Sequence, residues 1–204
     1  MSSENQGRKR ILFSIFASCL FLFIFTGCGK KHYDRPTYEF KKNGHIIEHL
    51  SEEFPSSEYD ETEWEDSIRS SADSYKNGKD GSINIKKVRY EDDILDCSVD
   101  YSDDDAYFYL NEQPLFYGTV GEALKAGYGL SSPVVSVKKG DKLSADKLKG
   151  MSDHKIIIFI ANSDKGADLK TYRKMDYVTE NLSVDDSKKK ATVTDDNTAY
   201  IVFD

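Results

Sequence analysis

Cysteine is scarce in this chain, three in 204 residues, so no disulfide scaffold can hold it together. Long apolar runs are scarcer: there is one, near the N-terminus, which excludes a polytopic membrane protein. Large basic clusters are missing too, and the formal net charge is -8. Nucleic acid is therefore not expected as a partner, because phosphate contacts need grouped Lys and Arg. There is no P-loop, no Gly-x-Ser-x-Gly, no Gly-x-Gly-x-x-Gly and no fixed-period repeat. These absences leave few routes to a catalytic or cofactor-dependent protein.

What is present begins with an address. Arg8, Lys9 and Arg10 precede Ile11–Phe25, an uncharged stretch with eleven large apolar residues, and Thr26-Gly27-Cys28 closes it. A basic start, an apolar core and small residues at its end define a secretory signal. The small residues before Cys28 resemble the lipobox of bacterial lipoproteins, with Phe25 where that motif usually carries Leu. The resemblance implies cleavage before Cys28, a diacylglyceryl thioether on its sulfur, and a fatty acyl group such as palmitate on the new amine. The competing reading is an uncleaved transmembrane helix, since Ile11–Gly29 is 19 uncharged residues, long enough to span. Lipid on Cys28 would place the protein on the extracytoplasmic face of the cell membrane, and two acyl chains suffice for stable anchoring.

The expected organisation is a signal peptide over 1–27, lipidated Cys28 and a short tether over 28–37, and one extracytoplasmic domain over 38–204. The tether, polar and rich in Lys and Arg, reads as a flexible coil. The domain reads as α+β: a mainly antiparallel sheet with one longer and one or two short helices. Tyr38–Leu50 reads as a hairpin over Asn43-Gly44. A two-residue turn there sets Phe40 opposite Ile47, Tyr38 opposite His49 and Glu39 opposite Glu48. Ser51–Asp66 carries eight carboxylates and no base. It leads into a helix with Asp60 and Glu63 as capping box and Trp64, Ile68, Ala72 and Tyr75 on one stripe.

Further on, Ser82–Tyr90 and Ile94–Tyr101 read as strands joined over Asp92-Asp93, and Cys97 as a small core residue rather than a nucleophile. Ser102–Asp105 reads as the N-cap of a short helix over Ala106–Leu110; a calcium loop there would lack the glycine and distal Glu of an EF-hand. Thr119 and Glu122 form a second capping box, with Gly127 past that helix. Val134–Val137, Lys155–Ala161 and Arg173–Val178 read as strands. Lys155–Ala161 is expected at a sheet centre, because its apolar run is continuous. Ala191–Thr194 and Thr198–Phe203 read as a closing hairpin. Lys138–Lys142 and Lys188–Lys190 read as exposed basic turns.

Several of these segments, in order, resemble a family of small lipoproteins from Gram-positive, clostridium-like bacteria. They are the Tyr38–Leu50 hairpin, the Tyr59…Trp64…Tyr75 helix, the stretch from Leu115-Phe116-Tyr117-Gly118-Thr119 to Ala126-Gly127-Tyr128, Tyr177–Asn181, and Ala199–Phe203. The resemblance implies an envelope location and supplies no catalytic residues.

One motif has chemistry in it. His45-Ile46-Ile47-Glu48-His49 matches His-x-x-Glu-His, in which two histidines hold zinc and the Glu acts as base. That chemistry needs a helix. On a strand, residues four apart lie roughly 13 Å apart, beyond two Zn–N bonds of about 2 Å. The Asn43-Gly44 turn argues for the strand. The expectation is thus a non-enzymatic binding or accessory module at the envelope, without cofactor, whose ligand is a protein or glycan. A zinc hydrolase using His45, Glu48 and His49 is the alternative. The thirteen tyrosines suit strands and could also form a contact surface.

Overall fold

The computed structural model describes residues 32–78, 81–161 and 164–204. The apolar run, Cys28, Lys30 and Lys31 lie outside the described residues. The described chain is α+β, mostly strands, with one helix of 18 residues and three short ones.

The first sheet has seven strands. In chain order they are β1 (Thr37–Phe40), β2 (Ile46–Glu53), β3 (Ile83–Glu91), β4 (Ile94–Tyr101), β9 (Ala167–Thr171), β11 (Leu182–Val184) and β12 (Lys190–Val193). They lie side by side as β11-β12-β9-β1-β2-β4-β3, and only the β1–β9 pair is parallel. The second sheet has six antiparallel strands, ordered β5-β8-β13-β10-β6-β7. These are β5 (Leu115–Thr119), β6 (Val134–Ser136), β7 (Lys142–Leu143), β8 (Lys155–Phe159), β10 (Tyr177–Val178) and β13 (Ala199–Phe203). The helices are α1 (Glu61–Gly78), α2 (Asp104–Asn111), α3 (Val120–Lys125) and α4 (Ala145–Lys149).

The second sheet is the middle layer. Along β8, Ile157 and Phe159 point into a large core shared with the first sheet, α1 and α2. Ile156 and Ile158 point the other way, into a smaller core under α3 and α4. β13 alternates likewise, with Ala199, Ile201 and Phe203 on one side and Tyr200 and Val202 on the other. A strand buried on both faces reads as an unbroken apolar run, which is why Lys155–Ala161 looked central. It is an interior strand, between the edge strand β5 and β13.

The short-range signals act as their chemistry dictates. Asp92 and Asp93 both take positive φ, 54° and 59°, and join β3 to β4 in a two-residue turn. Asp103 caps α2, its carboxylate accepting the Ala106 N–H. Thr119 and Glu122 make a reciprocal capping box on α3. Asp60 Oδ1 accepts the Glu63 N–H at 2.9 Å, and α1 starts at Glu61.

Other expectations are corrected. The β1–β2 loop is one residue longer than a two-residue turn. The Lys41 N–H donates to His45 O, the Gly44 N–H donates to Lys41 O, and Gly44 sits at φ 93°. This is a three-residue loop with a left-handed residue at its end. The register follows: Phe40 faces Ile46, Glu39 faces Ile47, Tyr38 faces Glu48 and Thr37 faces His49. A slip of one residue exchanges the faces of a strand. Ile46, Glu48 and Leu50 therefore point into the core, and Ile47 and His49 do not.

Nor do Ala191–Thr194 and Thr198–Phe203 pair. β12 belongs to the first sheet and β13 to the second, so the chain crosses between layers over 194–198. All five β13 residues are buried, and such a strand needs neighbours on both edges and cover on both faces. The strand read at Arg173–Val178 is reduced to Tyr177–Val178, and β9 was not anticipated. The short helix α4 was not anticipated either, and its N-cap Ser144 makes no side-chain capping bond.

Candidate functional site

The outer face of the first sheet is polar and collects three of the four histidines. His45 Nδ1 lies 2.8 Å from Asp100 Oδ1, and Lys86 Nζ lies 3.1 Å from the other oxygen of that carboxylate. His49 Nδ1 lies 2.7 Å from Ser98 Oγ, and its Nε2 is 3.7 Å from Glu39 Oε1. Burial pushes the His49 pKa below its usual value. His32 Nδ1 is 3.0 Å from Asp96 Oδ1. Each imidazole thus has its own polar partner.

Glu48 is on the opposite face. The strand alternation that turns His49 outward turns Glu48 inward, to 5% exposure. The structure does not bring His45, Glu48 and His49 together around one point. Among the described residues, no group of three His, Cys, Asp or Glu could hold a metal ion. Two of the aspartates of 103–105 are engaged in the fold: Asp103 caps α2, and Asp104 Oδ2 accepts the Tyr117 N–H at 3.1 Å.

Inside the core, Glu48 is held by tyrosines. Tyr101 donates its hydroxyl to Glu48 Oε2 at 2.7 Å, and Asn111 Nδ2 donates to that hydroxyl at 2.9 Å. Tyr38 is a second hydroxyl partner of the carboxyl group. Tyr107 bonds to Tyr38 at 3.4 Å and to Gln113 Oε1 at 3.2 Å. Burial outweighs these bonds and pushes the Glu48 pKa above the usual carboxylate value. Beside this cluster Cys97 is buried, its thiol pushed up to about 12 mainly by desolvation, as suits a packing residue.

The expected tether over 28–37 is described only from His32 onward. Described residues from His32 onward dock on the sheet's outer face. The Tyr33 N–H donates to Ser51 Oγ at 2.8 Å, and the Tyr33 ring stacks on His49 with centroids 5.0 Å apart. Beneath them Asp96, 3% exposed, accepts from Ser51 Oγ at 2.6 Å and from Arg89 Nε at 3.0 Å. Burial works to raise the Asp96 pKa, and the bonds from Ser51, Arg89 and His32 more than offset it, leaving it below the usual carboxylate value.

At the other end of β1 lies a concavity of about 380 Å³, open on one side. Lys41, Lys170, Lys189 and Lys190 line it, with Glu39 and Tyr172. The lysines come from three stretches: just past β1, β9, and the β11–β12 turn with the first residue of β12. Lys41 Nζ is 2.6 Å from Glu39 Oε2 and Lys170 Nζ is 3.5 Å from Glu39 Oε1. Lys190 Nζ is 2.7 Å from Asp168 Oδ2. Sequence reasoning saw Lys188–Lys190 as an exposed turn and missed its convergence with Lys41 and Lys170. No local pattern joins residues so far apart in the chain; sheet order alone does.

No family model, no curated protein and no solved structure matches this chain. The geometry therefore carries the functional argument by itself.

Proposed function

We propose that this protein is a lipid-anchored, extracytoplasmic, non-enzymatic module that binds a ligand or partner at the cell envelope. The observation that carries it is the docking of the chain at His32, four residues after the cysteine that closes the apolar run. Four residues reach at most about 14 Å. Lipid on Cys28 would thus hold the polar face of the first sheet beside the bilayer, with little slack. Each of the three histidines on that face has its own carboxylate, itself tied to further cations, which suits a recognition surface better than a reacting centre. The inward turn of Glu48, away from His45 and His49, supports this reading over the zinc-hydrolase alternative.

The test is mass spectrometry of the N-terminal peptide from the membrane fraction. An acylated Cys28 is expected, with Cys28→Ala accumulating as an unacylated precursor. An unacylated wild type whose mutant has the same mass offset and the same membrane retention would establish a transmembrane anchor instead.

A further inference from the structure

The lysines around the open concavity are arranged against their own electrostatics. Lys170 and Lys190 are directly opposed in the antiparallel β9–β12 register. Like charges so placed repel and weaken the pair. Lys41 and Lys189 add two more ammonium groups to the same concavity. Glu39 is shared between Lys41 and Lys170, and Asp168 serves Lys190. The remaining carboxylate of the lining, Asp185, accepts from Ser187 Oγ at 2.7 Å and from the Lys190 N–H at 3.3 Å; it holds the turn and keeps its charge, leaving four ammonium groups to three carboxylates. Among the described residues no ion pair engages Lys189, which is exposed. In a chain of net charge -8, this is a local positive field with fewer anions than cations.

We propose that this cleft binds the phosphate group of a polyol or sugar phosphate ester. The inference deepens the binding-module reading and rests on it. Lysine ammonium groups act as compact point charges and serve tetrahedral phosphate oxygens, whereas a planar carboxylate is better matched by the guanidinium fork. All four cations in the lining are lysines. The side of the Tyr172 ring, anchored edge-on against Phe203 with centroids 5.5 Å apart, offers an apolar wall for the carbon skeleton. An anion there would add to what Glu39 and Asp168 already do to offset the Lys170–Lys190 repulsion.

The experiment uses the full chain in neutral detergent, titrated calorimetrically at low salt with inorganic phosphate, glycerol 3-phosphate, glucuronate and short-chain phosphatidylglycerol. Glycerol 3-phosphate is expected to bind more tightly than glucuronate. The double variant Lys170→Gln, Lys189→Gln should weaken that binding roughly tenfold or more. The control pair Lys125→Gln, Lys147→Gln, exposed on α3 and α4 over the smaller core, should leave it unchanged. Added salt should weaken it as well, since exposed charges are screened. Binding of the soluble ester points to a free or polymeric source, and binding of the short-chain lipid alone to a head group. Equal binding of glucuronate, equal loss in the control pair, or no binding by a folded wild type would overturn the proposal. The mass of Cys28 is read in the same preparation. An acylated chain that fails to bind sinks the cleft, and an unacylated chain that binds sinks only the anchor.

Discussion

Glu48 shows how one residue changes its meaning with one step of register. In a two-residue hairpin it would face Glu39 on a wet surface. In the observed register it faces Tyr38 and meets Tyr101 in the core. Glu48→Ala should destabilise the protein by about 1–3 kcal/mol, because buried hydroxyls lose their acceptor. Glu48→Gln keeps an acceptor without a charge. Because the folded pKa is raised above the ordinary 4.5, the folded state binds more protons than the unfolded one just above that value. The resulting stability is full below the unfolded pKa and fades as pH rises through the folded pKa. Wild type should therefore lose thermal stability relative to Glu48→Gln as pH rises from acid through that window. A Tm difference that does not change with pH would show that Glu48 ionises freely in the fold. Gly166 is a second such position. It holds φ 69°, and a Cβ there would run into the Val193 carbonyl, so Gly166→Ala should lower the Tm measurably.

Among the elements, α1 and the β1–β2 hairpin carry the clearest lessons. The stripe on α1 was legible from its spacing, and Ala72 and Tyr75 are buried while Trp64 and Ile68 pack against the core only in part. Trp64 meets Phe54 at 6.1 Å and Tyr90 at 6.3 Å, both edge-on. A half-buried ring loses less on truncation than a fully buried one. Trp64→Ala should cost about 2–3 kcal/mol, below the 3–5 typical of a fully buried ring. An unchanged denaturation midpoint would mean that α1 contributes nothing to the cooperative fold. The hairpin was legible as a hairpin, since Asn43-Gly44 between alternating segments signals a turn. Its loop length was not, because Gly serves a two-residue turn and the end of a three-residue loop equally well.

For the whole molecule, the decisive feature is a sheet with a core on each side. Ile156 belongs to the smaller core and Ile157 to the larger, one residue apart on β8. Either Ile→Ala change should cost about 2–5 kcal/mol. Because both cores share β8 and β13, each variant should still melt in one transition, followed by circular dichroism and by tyrosine fluorescence together. Separate transitions in either variant would show that the two cores are independent folding units.

Sequence alone determined what depends on near neighbours. The caps at Asp103 and Thr119, the Asp92-Asp93 turn, the α1 stripe and the interior position of β8 all follow from interactions within a few residues or from burial on both faces. Tertiary structure decided what depends on which strand lies beside which. It split β12 and β13 between two sheets, inserted β9 beside β1, turned Glu48 away from His45 and His49, and gathered Lys41, Lys170 and Lys189. Strand order and register are set by the packing of whole layers, where a shift of one residue or one strand moves every side chain to a new neighbour. No window of sequence contains that information.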